Sequence, residues 1–187
     1  GLPYSRLNLT RMIAMETEAD KLELNNSAWY VDNRIKLIHD RVTAIRPGEK
    51  RIVLSGNGEM VYDRLVLATG ADPFVPPIPG TSLRGVHTLR TLAQARDILS
   101  NITEGTKCIC LGGGLLGIEL AVGLKKRGAD VTILESFGWL LPRQLAPPAS
   151  AILKKRIEEL GLTILSGVKV VEITGNGSVS SVKFENG

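Results

Sequence analysis

The stretch from Thr106 to Glu119, read with Ile133-Leu134-Glu135 beyond it, leaves a chain of this kind few ways to fold. A short apolar run, Cys108 to Leu111, reads as a buried strand. It breaks into Gly112-x-Gly114-x-x-Gly117 and resumes as an apolar helix from about Leu115 to Lys126. A second strand, Asp130 to Leu134, ends in the acid Glu135. Strand, glycine turn, helix and strand in that order form a dinucleotide-binding unit. One glycine allows the tight turn, one lets a diphosphate approach the backbone, and one lets helix pack on strand. The diphosphate would lie on the free amides at the helix start, around Leu115 and Leu116, where the dipole favours negative charge. Glu135 stands where a carboxylate accepts hydrogen bonds from both hydroxyls of an adenosine ribose. The same carboxylate repels a 2′-phosphate, so NAD is expected over NADP. The competing reading is a glycine-rich turn that only packs; the two strands, the helix and the distal acid weigh against it.

At 187 residues the chain can form one large domain or two small ones around a real core. Its net charge of +4 is mild, and the basic residues are scattered apart from Lys125-Lys126-Arg127 and Lys154-Lys155-Arg156. Each trio falls near an expected helix end, where cations complement the dipole, so nucleic-acid binding is not expected. Cys108 and Cys110 sit two apart on one strand face, which suits core packing and is not the C-x-x-C of a thiol oxidoreductase. His39 and His87 are isolated, so no metal site is expected. The apolar run from Cys108 to Leu124 contains Glu119 and several glycines and is too short to span a bilayer comfortably. With no signal-peptide pattern, a cytoplasmic protein is expected.

The first third reads differently. Ser27 to Asp32 is a short helix. Extended runs follow at Ile35 to His39, Val42 to Arg46, Arg51 to Ser55, Glu59 to Tyr62 and Leu65 to Thr69. Pro47-Gly48 and Gly56-Asn57-Gly58 are turn chemistry, so residues 41 to 62 form an antiparallel meander. The proline-rich stretch from Pro73 to Gly80 is stiff and poor in amide donors, and marks a boundary. The expected domains are 1–75, a linker over 76–90, and a nucleotide-binding domain over 91–187. Within the last, Thr91 to Asn101 is an amphipathic helix and Phe137 to Leu145 is irregular. A helix runs from about Pro148 to Leu160, and strands follow at Leu162 to Leu165, Val168 to Thr174 and Val179 to Phe184, the last two joined at Gly175-Asn176-Gly177.

Several of these segments occur together in a known family. The run from Tyr62 to Pro73, the proline-rich linker and the glycine fingerprint with Gly117-Ile118-Glu119 resemble the pyridine nucleotide–disulfide oxidoreductase superfamily. The segment from Pro3 to Arg11 resembles the P-Y-x-R-P-x-L-S-K stretch of rubredoxin reductases and of the flavin module of NAD(P)H nitrite reductase large subunits. Trp139 to Leu145 resembles the nitrite-reductase type in particular. The resemblance implies an α/β fold in which a Rossmann-like NAD domain is inserted into an FAD-binding domain bearing an antiparallel β-meander. It implies that Arg6, Thr10 and Arg11 line the flavin, that Thr69 and Gly70 meet the FAD, and that Glu119 faces the junction of nicotinamide and isoalloxazine. Leu7 replaces the family's proline, and Arg11 replaces a lysine, trading a point charge for a planar fork.

In that family a second glycine fingerprint, N-terminal to everything in this sequence, holds the FAD, and a final NAD-domain strand and an interface domain follow. The resemblance therefore implies an internal piece of a longer flavoprotein, with its FAD-binding part incomplete. Its implied activity is that of an NADH-dependent flavoprotein oxidoreductase. NADH gives hydride to flavin, and electrons pass to an acceptor protein such as a rubredoxin or to a fused iron–sulfur and sirohaem domain. A homodimer of the full-length parent fits the same pattern. No side chain need act as acid or base for hydride transfer, so no catalytic residue is assigned.

Three alternatives stand beside it. The chain alone is an isolated, non-catalytic nucleotide-binding module; it belongs to the coenzyme A-disulfide reductase and NADH oxidase branch, which Gly1-Leu2-Pro3-Tyr4 resembles; or it is an ordinary NAD dehydrogenase. The last is weakened by the lack of a His, Lys or Tyr constellation after the nucleotide fold.

Overall fold

A computed structural model describes residues 1–56 and 58–185, so Asn57, at the centre of one expected turn, and the last two residues lie outside it. The chain divides into two compact units, one of residues 1–2 and 25–72 and one of residues 3–24 and 73–187.

In the first unit, the short helix Ser27–Asp32 is capped by Asn26, whose side chain accepts the Trp29 amide at 2.9 Å. Strands β1 (Val42–Arg46), β2 (Arg51–Leu54) and β3 (Glu59–Val61) form the expected antiparallel meander, with Ile45 opposite Ile52 and Ile52 opposite Met60. Lys50, at a left-handed φ of 50°, closes the first turn after Pro47–Glu49. Glu59 receives Arg46 at 2.8 Å and Arg51 at 3.1 Å across the sheet. Two expected strands are not formed. Residues 35–39 and 65–69 form no regular element and pair with no strand among the described residues, and Val66 and Leu67 are exposed. Apolar, β-prone sequence is not sufficient for a strand, because the ladder needs a partner to take its N–H and C=O groups.

The second unit holds a three-stranded parallel sheet in the order β4 (Lys107–Leu111), β5 (Asp130–Glu135), β6 (Thr163–Ser166). Cys110 lies opposite Ile133, and Ile133 opposite Ile164. Helix Leu115–Lys126 connects β4 to β5, and helix Pro147–Glu159, opened by its two prolines, leads into β6. Strands β7 (Val170–Gly175) and β8 (Val179–Phe184) make an antiparallel hairpin. The linker lies along this hairpin: the Ile173 amide donates to Pro79 O and the Val179 amide to Arg84 O, both at 2.9 Å. Gly80 there has φ +87°, and a β-carbon on it would fall 1.8 Å from Ile173 O.

Helix Leu92–Ser100 begins with a capping box. Thr91 accepts the Gln94 amide, and the Gln94 side chain accepts the amide of Thr91. Residues 3–24 belong to this unit by their contacts, although the sequence groups them with the first 75. Helix Leu9–Ile13 buries Leu9, Met12 and Ile13 in one core with Leu22, Ala121, Leu124, Val131, Ile133, Ile157 and Ile164. Cys110 belongs to the same core, and Cys108 packs against it.

Among the described residues the α-helices in chain order are α1 (Leu9–Ile13), α2 (Ser27–Asp32), α3 (Leu92–Ser100), α4 (Leu115–Lys126) and α5 (Pro147–Glu159).

Candidate dinucleotide-binding site

The glycine turn joins β4 to α4, and its glycines have different surroundings. Gly112 has φ +110°, a conformation side chains rarely adopt, and its amide donates to Leu134 O at 2.7 Å. Gly117 faces back onto it, where a β-carbon would lie 2.1 Å from Gly112 O. Gly114 is the N-cap of α4, and a β-carbon there would meet nothing within 4 Å. No side chain caps the helix and no acid stands in its first turn. The opening amides are thus uncapped by any side chain at a positive helix end, and Leu115 and Leu116 are exposed.

Glu135 ends β5 beside this turn and is buried, with 6% of its surface exposed. Its Oε2 accepts the Gly113 amide at 2.7 Å. Its Oε1 accepts the Phe137 amide at 2.8 Å and the Ser136 hydroxyl at 3.3 Å. Those three donors leave roughly one of a carboxylate's four acceptor positions for an incoming hydroxyl. The irregular segment after β5 also reaches the turn. The Leu141 amide donates to Gly113 O at 3.0 Å, and Leu140 packs where a β-carbon on Gly113 would stand. Leu141 is buried at a left-handed φ of 51°. Arg143, the cation closest to Glu135 in sequence after the strand, is exposed. Neither Gly113 nor Leu141 was marked by the sequence. Gly113 looks like a spare glycine between two assigned ones, and nothing in Trp139 to Leu145 announces a positive φ.

A second group forms where α1 packs on α4. Gly123 permits the approach: a β-carbon on it would lie 3.2 Å from both Ala14 N and Ile13 Cγ2. Here Thr10 and Glu119 meet, the buried Thr10 hydroxyl donating to Glu119 Oε2 at 2.9 Å. Arg11 is exposed and pairs with Glu16 at 3.4 Å, while Lys126 donates to the other Glu16 oxygen at 2.6 Å. Lys126 first, and then Arg11, hold the Glu16 carboxyl below its ordinary range. Arg127 caps the C-terminal carbonyls of α1, Met12 O at 3.1 Å and Ile13 O. Arg6 is exposed in the turn before α1. Thr69 and Gly70 belong to the first unit, Gly70 with φ +75°. Burial pushes the Cys110 thiol up to about 12, helped by Cys108, and raises Cys108 as well. Among the described residues no group of three or more His, Cys, Asp or Glu could hold a metal, and no helix is long and apolar enough to cross a membrane.

Comparison with known proteins gives a consistent picture. The family profile described as pyridine nucleotide-disulphide oxidoreductase matches residues 1–187. Nitrite reductase [NAD(P)H] of Bacillus subtilis is 32% identical over 185 residues, covering 98% of this chain and 23% of that protein. Rubredoxin-NAD(+) reductase of Pseudomonas putida is 29% identical over 188 residues, covering 99% of this chain and 49% of that protein. The crystal structure of a ferredoxin reductase from Rhodopseudomonas palustris superposes with a TM-score of 0.92 at 27% identity, over 100% of this chain and 46% of that one. The chain thus spans half or less of the length of each.

Proposed function

The chain belongs to the pyridine nucleotide-disulphide oxidoreductase family, and on that footing we propose that it contributes the NADH site and part of the flavin site of an NADH-dependent flavoprotein oxidoreductase. The observation that carries the reading is the glycine turn. Gly117 can only be glycine against Gly112 O, whereas at Gly114 the space stays open in front of uncapped helix amides. Packing explains the first glycine and not the second. A diphosphate explains the second.

In this reading the amides of Leu115 and Leu116 hold the diphosphate, and Glu135 takes a ribose hydroxyl on its remaining acceptor position. Glu119, held by Thr10, stands at the nicotinamide end. Bound NADH supplies a hydride; the chain's residues bind and orient it, and no side chain needs to move a proton. FAD is the second cofactor the family implies. The fit here is partial, because among the described residues one glycine turn opens a long helix, and the dinucleotide site uses it. Arg6, Thr10, Arg11, Thr69 and Gly70 would serve the flavin end only. The names of the rubredoxin and ferredoxin reductases support an electron-carrier protein as acceptor, and that of the nitrite reductase supports a fused redox centre.

Calorimetric titration of the chain with NADH tests the site. One NADH per chain is expected, and no heat of binding at millimolar NADH would defeat the reading.

A further inference from the structure

Gly113 is held on both sides of its residue. Its amide goes to Glu135 Oε2 at 2.7 Å, and its carbonyl takes the Leu141 amide at 3.0 Å. The holding groups are themselves fixed. Glu135 is 6% exposed, and its other oxygen is tied to the Phe137 amide. Leu141 is buried with φ 51°, a conformation that disfavours a branched side chain and persists only where the surroundings impose it. A ribose ligand alone needs none of this: an acid at the strand end could face solvent and wait. This carboxylate is instead buried against the turn and bonded to its backbone.

We propose that Glu135 and Leu141 are positioning residues that clamp Gly113, so that the carboxylate ending β5 fixes the glycine turn for a diphosphate independently of any ribose contact. The ligand side of this rests on the dinucleotide reading above; the clamp itself does not. Holding the groups on either side of Gly113 sets the direction in which the chain enters Gly114 and the first turn of α4. Leu140, packed over the bare α-carbon of Gly113, keeps water from competing for the same amide.

The test uses the whole chain as wild type, Glu135→Gln and Glu135→Ala, with ADP and 2′,3′-dideoxy-ADP as calorimetric probes. Amide exchange is followed by NMR without ligand. In the wild type the Gly113 amide is expected to exchange at least about tenfold more slowly than those of Leu115 and Leu116; equal rates would overturn the clamp without any variant. Glu135→Ala is expected to weaken dideoxy-ADP by about tenfold, the scale of losing a charge-assisted hydrogen bond. Glu135→Gln, which keeps an oxygen for the Gly113 amide, is expected to stay within about twofold of wild type on that probe. If Glu135→Ala bound dideoxy-ADP as tightly as wild type and lost affinity only for ADP, the carboxylate would be a ribose ligand and nothing more. If the wild type bound neither probe, the dinucleotide reading would fail, and the Gly113 exchange rate would still decide the clamp.

Discussion

The carbonyl oxygen of Gly112 stands 2.1 Å from the point where Gly117 would carry a β-carbon. Backbone occupies that point, so a methyl group there can be accommodated only by moving α4 off β4. Gly117→Ala is expected to cost about 1–3 kcal/mol, as overpacking in a rigid core does. At roughly 2–4 °C per kcal/mol for a chain of this size, the melting midpoint should fall by several degrees. A midpoint equal to wild type would mean the helix seats differently.

Gly114 should behave in the opposite way. Its φ of −81° suits any residue and its β-carbon position is empty. Gly114→Val is expected to keep the circular dichroism spectrum, lose no more than about 1–2 kcal/mol through the poorer N-cap, and abolish NADH binding. Equal NADH affinity in a folded variant would refute the diphosphate assignment.

NADH is expected to bind at least tenfold more tightly than NADPH, with the gap narrowed in Glu135→Ala. A 2′-phosphate about 3 Å from the carboxylate meets a repulsion of about 5 kcal/mol per unit charge at an effective dielectric of about 20. Arg143 is the nearest cation in sequence beyond β5 that could offset it. Parallel calorimetric titrations of the two cofactors decide the point, and equal affinities would contradict it.

Cys110 makes stability sensitive to base. Its thiol titrates near 9.0 when free and is pushed up to about 12 by burial in the fold. Between those values the unfolded chain loses the proton and the folded chain keeps it. Folding stability contributed by this group is therefore intact below pH 9 and declines as pH rises towards 12, by up to about 1.4 kcal/mol per pH unit. Denaturant titrations of wild type and Cys110→Ala above pH 9 should show the steeper decline in wild type. Parallel slopes would count against it.

The chain alone is expected to retain no stoichiometric FAD after mixing and desalting. The residues proposed for the flavin end leave the diphosphate of FAD without a helix start, and each lost charge-assisted hydrogen bond there forfeits about 1.5–3 kcal/mol. A flavin absorbance band at one per chain would overturn this.

The parallel unit was legible because its signals are local. Apolar runs, glycines and a terminal acid fix β4, α4 and β5 almost to the residue, and Thr91 with Gln94 announces the start of α3. The meander was legible for the same reason, since its turns are short. What could not be read depends on distant partners. Residues 35–39 and 65–69 look like strands, yet no ladder receives them among the described residues. Residues 3–24 carry a flavin-site motif, and nothing in it reveals that Thr10 meets Glu119 or that Arg127 caps α1. The contact of Leu141 with Gly113 is not legible in the sequence, because it depends on a left-handed backbone angle that leucine does not encode.

The seating of α1 on α4 has a consequence for how the protein is made. Thr10 is 109 residues from Glu119, and Ile13 is 114 from Arg127. At the usual pace of translation, a ribosome that has just finished α1 needs roughly 5–20 s to deliver the helix it packs against. Throughout that interval Leu9, Met12 and Ile13, buried in the finished fold, have no native neighbours on α4 to cover them. The native contacts of α1 with α4 can form only after α4 has been made, so its docking is a late step of synthesis.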